Sequence, residues 1–521
     1  MREPSERWLL ATTILGTSLV FIDSTVVNVA LPALQHAFSA SMAELQWVVE
    51  SYALLLAALI LSGGALGDRL GRRRVFLAGN AIFAAASLWS GLAPSIEQLV
   101  IARAAQGVGG ALLAPASLAI ITAAFPDEER RGRAIGTWSG FSSITAAAGP
   151  LLGGWLVDTF SWRLAFLINP PIAVLVAWLA RRHVPESKDP AAHAIDWGGA
   201  ASAVVLLGSL VFGLVTAGER GFGRPEVIAA LALAALALVV FVWRERTAAA
   251  PMVPFALFRS RNFTGANALT LLLYGALYGL LFFFPLIYVQ VHGRTATQAG
   301  AAVLPFALIM FALSRWAGGL VHRVGPRLPL TIGPVITAAG FVLYSLPGTG
   351  GSYWTTFFPA ICTVGVGMGV TVAPLTTTVM TSVDPRHAGL ASGINNAVSR
   401  VAAVLSIAVL GAVAVASFGP RLDERLEQAN LPRDAAAAMR TQAHALGATE
   451  IPAGLAPAQQ AAAQSAVDDA FVGAFRLVCH ICAVLALGSS AFAAAILERR
   501  PHSRASDEKL NTPARPPSNR A

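Results

Sequence analysis

The chain is short of charge. Asp, Glu, Lys and Arg make up 12% of its 521 residues, against about 25% in soluble proteins, too little to coat a soluble fold of this size. Cysteine is scarce as well: Cys362, Cys479 and Cys482 all lie in apolar stretches, which excludes a disulfide framework and provides no zinc-ligand spacing. The sequence has no ATPase-type glycine-rich nucleotide cradle, no ordered nucleophile set and no metal-ligand cluster. Neither an enzyme nor a cofactor is therefore expected, and energy has to come from an ion gradient. Met1 to Trp8 carries Arg2 and Arg7 with no small-residue cleavage site after it, so it reads as the start of a retained span rather than a signal peptide.

What is present is apolar. Hydrophobic residues make up 55% of the chain and mean hydropathy is +0.63. Apolar stretches lie near 9–31, 45–66, 75–94, 98–121, 134–157, 163–180, 197–217, 226–243, 263–290, 298–320, 329–347, 353–378, 388–418 and 471–497. A helix of roughly 20 apolar residues crosses the hydrocarbon, and hydrocarbon forces each span to satisfy its backbone internally. A barrel would instead show short alternating strands. The expected fold class is therefore an all-α polytopic membrane protein of fourteen helices.

Charge orients these stretches. With the N-terminus inside, the even-numbered connections and both tails hold most of the 37 Lys and Arg, the bias that marks a cytoplasmic face. This places both termini in the cytoplasm, with the chain expected in the inner (cytoplasmic) membrane. It also accounts for the net charge of +9 without nucleic acid. The hairpin around Gly218 to Pro225 separates two stretches whose removal leaves six and six. The expected organisation is an N-terminal six-helix bundle over 1–183, two extra helices with linkers over 184–250, and a C-terminal six-helix bundle over 251–497. A cytoplasmic tail follows over 498–521. The longest connection, 419–470, is expected to form short surface helices covering the outer face. The default assembly is a monomer.

Two loops carry a pattern beyond charge. After the second stretch, Gly64, Gly67, Asp68, Arg69, Gly71, Arg72 and Arg73 form a glycine-bearing turn with one acid among arginines. Such an acid can accept from helix-end donors or pair with a neighbouring Arg and hold one face of a transporter closed. A worn copy, Gly318 to Arg327, follows the tenth stretch with His322 at the place of Asp68. Matching turns in two halves are the mark of a transporter built from parallel six-helix repeats.

These residues resemble the major facilitator superfamily and, within it, the fourteen-helix drug:proton antiporters (multidrug efflux transporters). The loop signature matches at Gly64, Asp68, Arg69, Gly71, Arg72 and Arg73. A first-helix motif matches at Asp23, Thr25, Asn28, Ala30, Leu31 and Pro32, and the fourth stretch carries Arg103, Gln106, Gly107 and Gly109. The fifth carries the antiporter motif Gly149, Pro150, Gly153 and Gly154, the sixth opens with Trp162, Arg163, Phe166, Asn169 and Pro170, and Gly389, Gly393, Asn396 and Arg400 form a further patch. Thr145 replaces a glycine of the antiporter motif, which is expected to open that helix contact slightly. The resemblance implies that this motif limits proton leak and favours exchange over symport. By packing alone, its small residues permit close helix approach.

Asp23, Glu50 and Arg103 are the proton-coupling candidates, because an ionisable side chain inside a span is costly unless protonated or paired. The competing role of Asp23 is structural, bonding Thr25, Asn28 or nearby backbone, and that of Glu50 is to snorkel outward. Arg103 stays charged and needs an acidic or polar partner, so protonation of a partner acid would release it. Arg315 and Arg400 are weaker versions of the same idea. The substrate path is expected between the halves, with Asn28, Tyr52, Tyr274, Tyr278, Asn396 and Arg400 as cavity candidates and Trp47, Trp138, Phe282 and Phe284 as further aromatic candidates. The expected function is proton-coupled antiport that exports lipophilic, cationic small molecules by alternating access, with protons and membrane lipids as the other partners. Two alternatives are a dedicated exporter of an endogenous metabolite, antibiotic or lipid, and a membrane sensor or scaffold that binds a partner through the outer loop.

Overall fold

A computed structural model describes residues 3–125, 127–189, 196–248, 251–384, 388–429 and 431–498. The segment 499–521, which holds nearly all of the expected cytoplasmic tail, lies outside the described residues, as do the side chains of Arg315 and His322. Among the described residues, fourteen helices are long and apolar enough to cross a membrane. In the first half they are α1 (Glu6–Phe38), α2 (Met42–Leu70), α3 (Arg72–Leu92), α4 (Ile96–Ala124), α5 (Glu129–Thr159) and α6 (Leu164–His183). A pair follows, α7 (Trp197–Arg220) and α8 (Pro225–Thr247). The second half has α9 (Arg261–Gln290), α10 (Ala296–Ser314), α11 (Arg327–Tyr344), α12 (Phe357–Thr381), α13 (Ala388–Gln428) and α14 (Pro457–Ile496). The chain is an all-α, multi-pass membrane protein.

The packing is repeated. In the first six-helix bundle α1 packs on α5, α2 and α3 pack on α4, and α6 packs on α1 and α3. In the second, α9 packs on α13, α10 and α11 pack on α12, and α14 packs on α9 and α11. The bundles meet along two seams, α5 with α10 and α2 with α13, which an exchange of the two halves converts into each other. The extra pair docks through α7, which touches both α2 and α13, while α8 packs chiefly on α7. Leu236, Val239 and Trp243 of α8 are accordingly exposed, as a lipid-facing helix requires.

The 419–470 connection holds short helical pieces only in its middle. α13 runs on to Gln428 and α14 begins at Pro457, so the flanking helices themselves project beyond the apolar stretches. Between them lie one helix, Arg433–Thr441, and a 3-10 segment, Ala443–Ala448. Leu422, Leu426, Met439 and Leu446 turn inward and are buried, so this connection has a core of its own continuous with the bundle.

Close helix approach in the first half depends on α4. A Cβ on Gly107 would stand 2.5 Å from the Tyr52 carbonyl oxygen of α2. Overpacking of this kind costs about 1–3 kcal/mol. Gly107→Leu is therefore expected to lower the thermal denaturation midpoint of the purified protein in a thermal-shift measurement. Gly132→Leu, where a Cβ meets nothing within 4 Å, should leave it unchanged.

Candidate functional site

Asp23 lies at the centre of the first bundle. Its carboxylate is fully buried and pairs with Arg103, itself 1% exposed, at 2.5 Å. Gln106 Nε2 donates to Asp23 Oδ1 at 2.7 Å and accepts Arg103 at its own Oε1 at 2.8 Å. Asn169 Nδ2 donates to the same Asp23 oxygen at 3.2 Å and to the Ser87 hydroxyl at 3.0 Å. Arg103 Nε donates to the Val48 carbonyl, and the guanidinium lies 4.3 Å over the Tyr52 ring. Helix periodicity explains the cluster: Arg103 and Gln106 stand one turn apart on α4 and so share a face. Thr25 and Asn28, the expected structural partners of Asp23, are not its partners. Thr25 bonds its own helix, and Asn28 Oδ1 is buried without a partner.

Glu50 is also fully buried, and neither carboxylate oxygen has a hydrogen-bond partner. It does not snorkel. Its face of α2, shared with Ala43, Gln46, Leu54 and Ala57 by the 3.6-residue period, packs against α7 and α13. Gln46 Nε2 donates to the Ile407 carbonyl of α13 at 2.7 Å. The opposite face of α2 meets α4 through Val48 and Tyr52. The two acids are therefore separate: Asp23 sits inside one half, while Glu50 sits in the seam between halves.

On the face carrying the basic loops, Asp68 pairs with Arg72 at 2.8 Å, four residues on. Gly71 turns the chain with φ +119°, a conformation that favours glycine. The segment after α6 then zips along this loop. Glu186 Oε1 accepts from the Arg73 backbone at 3.0 Å, Arg73 donates to the Val184 carbonyl at 3.2 Å, and the Ser187 carbonyl accepts from the Arg72 backbone at 2.9 Å. Glu186 also faces Arg74 at 3.7 Å. Arg69 is exposed; a Cβ on Gly67 would meet nothing within 4 Å, whereas one on Gly64 would be in ordinary contact with Pro115 of α4 at 3.6 Å.

The opposite face is bolted shut. Asp158, at the end of α5, accepts from the backbone of Ala296 at 3.0 Å and of Thr297 at 2.7 Å, and from the Thr297 hydroxyl at 2.5 Å, all at the start of α10 in the other half. Beneath it, a Cβ on Gly154 would meet the Ala296 carbonyl at 2.3 Å, and one on Gly300 would meet the Pro150 carbonyl at 2.1 Å. Gly149 and Gly153 face α1 instead, against Thr25 and Val26. Thr145, the departure from the motif, bridges to the Ser18 hydroxyl at 3.1 Å. Gln35 of α1 donates to the Ala445 carbonyl of the 419–470 connection and accepts from Gln290 of α9.

A cavity of about 260 Å³ opens in the second half. Tyr274 and Tyr278 of α9, Thr376 and Val379 of α12, and Ser392, Asn395, Asn396 and Ser399 of α13 line it. Asn395 is held by Asn267 and Thr270. The other aromatic candidates lie elsewhere. Tyr52 is buried under Arg103, Trp138 donates to Thr17, and Phe282 and Phe284 are fully buried, the latter stacked on Tyr288 and edge-on to Tyr344 and Phe357. Asp158, Glu186, Gln35 and Gln46 escaped the sequence reading. The only signal for Asp158 and Glu186 was an acid near a helix end.

Two repeated bundles, charge buried between the helices of the first and a polar cavity within the second define a secondary transporter. Among the described residues no group of His, Cys, Asp and Glu could hold a metal ion. Residues 13–407 match the Major Facilitator Superfamily model, and the chain belongs to that superfamily and to its fourteen-helix multidrug efflux branch. It is 37% identical to the multidrug resistance protein Stp of Mycobacterium tuberculosis, over 81% of this chain and 78% of that one. To the tetracenomycin C resistance and export protein of Streptomyces glaucescens it is 33% identical, over 96% and 93%. Among solved structures, a bacterial homolog of the human lysosomal transporter Spinster shares the fold with a TM-score of 0.66 at 19% identity, over 96% of this chain and 99% of that one.

Removing the charge of Asp158 should loosen the bolted face. D158N is expected to raise the open-to-closed ratio there about tenfold, matching the loss of roughly 1.5 kcal/mol of charge-assisted hydrogen bonding. Spin labels at Phe160 and Trp354, both exposed, would report it as a longer distance component.

Proposed function

We propose that the chain is a proton-coupled antiporter that exports lipophilic small molecules by alternating access. In this reading the basic face and both termini are cytoplasmic, and the bolted face is outside. The chain divides into bundles 1–183 and 251–497 with the extra pair and its linkers in 184–250, and it works as a monomer. The observation that carries the proposal is the dry Asp23–Arg103 pair. Removing one partner of such a pair leaves an uncompensated buried charge, worth about 3–5 kcal/mol. Protonation of Asp23 therefore has to be matched by a rearrangement around Arg103, and a shift of a few kcal/mol is enough to change which side is open.

Glu50 supplies the second acid. A charged carboxylate without donors in an apolar seam is costly, and motion along the α2–α13 seam would wet it and let it exchange a proton. Asp68 with Arg72, and Glu186 with Arg73, would brace the cytoplasmic loop in its closed arrangement. The Gly149–Gly154 surface and Asp158 would do the same outside.

A second reading is an exporter dedicated to one compound made by the same cell. The relative named for tetracenomycin C resistance and export favours it, since it aligns with nearly the whole chain. Saturation by one native metabolite and indifference to dyes in transport vesicles would support that reading over a broad one.

Substrate-induced proton release from the purified protein in liposomes tests the coupling. Wild type is expected to release protons on adding a transported drug. D23N should lose gradient-driven efflux by at least about tenfold, the equivalent of 1.4 kcal/mol, and E50Q should uncouple transport from the pH gradient. If both variants keep wild-type efflux driven by a pH gradient, neither acid carries the proton.

A further inference from the structure

The expected substrate is a cation, yet the carboxylate that would recognise one is spent. Both Asp23 oxygens are occupied by Arg103, Gln106 and Asn169, and Glu50 faces α7 and α13 rather than α4 and Asp23. The cavity in the second half has hydroxyl and amide groups on seven of its eight lining side chains and no acid.

The charge that is left over is positive. Arg400 follows Ser399 and stands one turn beyond Asn396, two lining residues of α13. It lies about 18 Å from the start of that helix at 1.5 Å per residue, near the middle of the hydrocarbon. Among the described residues its buried Nε has no hydrogen-bond partner and no carboxylate pairs with it. Its helix packs on α2 of the other half, from Gly393 beside Leu61 to Ile407 beside Gln46. Asp68 and Glu186 belong to the basic face, and Asp158 belongs to the bolted face. A guanidinium at this depth without a counter-charge is costly, and its planar fork is shaped for a bidentate anionic oxygen group.

We infer that Arg400 is a specificity-determining residue that binds an anionic oxygen group of the substrate, while Tyr274, Tyr278 and Asn396 hold its aromatic, hydrogen-bonding body. The exported class is then lipophilic aromatic acids rather than lipophilic cations. This rests on the transport reading above but is independent of which acid carries the proton.

Three probes on one scaffold test it: a coumarin carboxylate, its carboxamide and the matching aminomethyl coumarin, bound to the full-length protein in nanodiscs and followed by fluorescence polarisation. The carboxylate is expected to bind at least about tenfold tighter than either of the others, the scale of one charge-assisted bidentate contact. R400Q should erase that advantage while shifting the amide less than about threefold, and R400K should restore part of it. Thermal midpoints are measured beside each variant. The proposal is overturned if the carboxylate binds no tighter than the amide or the amine, including if it does not bind, or if R400Q weakens all three probes equally. Gradient-driven uptake into inverted vesicles separates the two levels. Uptake with amine preference leaves the antiporter reading standing and sinks this one, whereas acid-selective binding without gradient-driven uptake does the reverse.

Discussion

The Asp23–Arg103 pair is the constraint around which the first half is built. A dry ion pair is tolerated only when every remaining donor and acceptor is satisfied, and here that demand recruits Gln106, Asn169, the Val48 carbonyl and the Tyr52 ring. These groups come from α1, α2, α4 and α6. Four helices are thereby tied to one charge, and Asn169 extends the tie to α3 through Ser87. A half fixed in this way moves as a unit, so freedom is left to the seams where the halves meet.

The two seams are related by exchange of halves but differ in chemistry. Along α5 and α10 the contact is backbone on backbone, close enough that glycine is required at Gly154 and Gly300, with Asp158 fastening the end. Along α2 and α13 the contact is made by side chains, with Gln46 holding the Ile407 carbonyl and Glu50 holding nothing. One seam is close backbone contact fastened at its end by Asp158, and the other encloses a carboxylate without donors. A symmetric pair of bundles thereby has two chemically different seams. The extra pair sits over the second seam through α7, which places apolar side chains rather than lipid beside Glu50.

Much of this was legible before the fold was known. Fourteen apolar stretches, the basic loops and a turn with its worn copy are consequences of hydrocarbon and repetition, and both leave long patterns in a sequence. Asp23, Glu50 and Arg103 stood out because charge inside an apolar run is rare. Their partnership was not legible, since pairing depends on which faces of α1 and α4 meet. Stretches that are apolar all round do not declare their faces. For the same reason Phe282, Phe284 and Tyr52 passed for cavity residues although they fill cores. Asp158, Glu186 and Gln35 went unnoticed because a polar residue at a helix end is ordinary, and only the neighbouring half or segment makes it particular. In the 419–470 connection the polarity of the sequence hides the continuation of α13 and α14.

Two of the three donors that Asp158 receives are peptide groups of Ala296 and Thr297. A main chain keeps its N–H groups whatever side chains it carries, so the residues opposite can drift while the fastening persists. Co-variation across the two halves would therefore fall on position 297 alone, whose hydroxyl is the one side-chain donor. A lineage that loses the acid leaves two peptide donors unpaired, and that face must be secured by some other means.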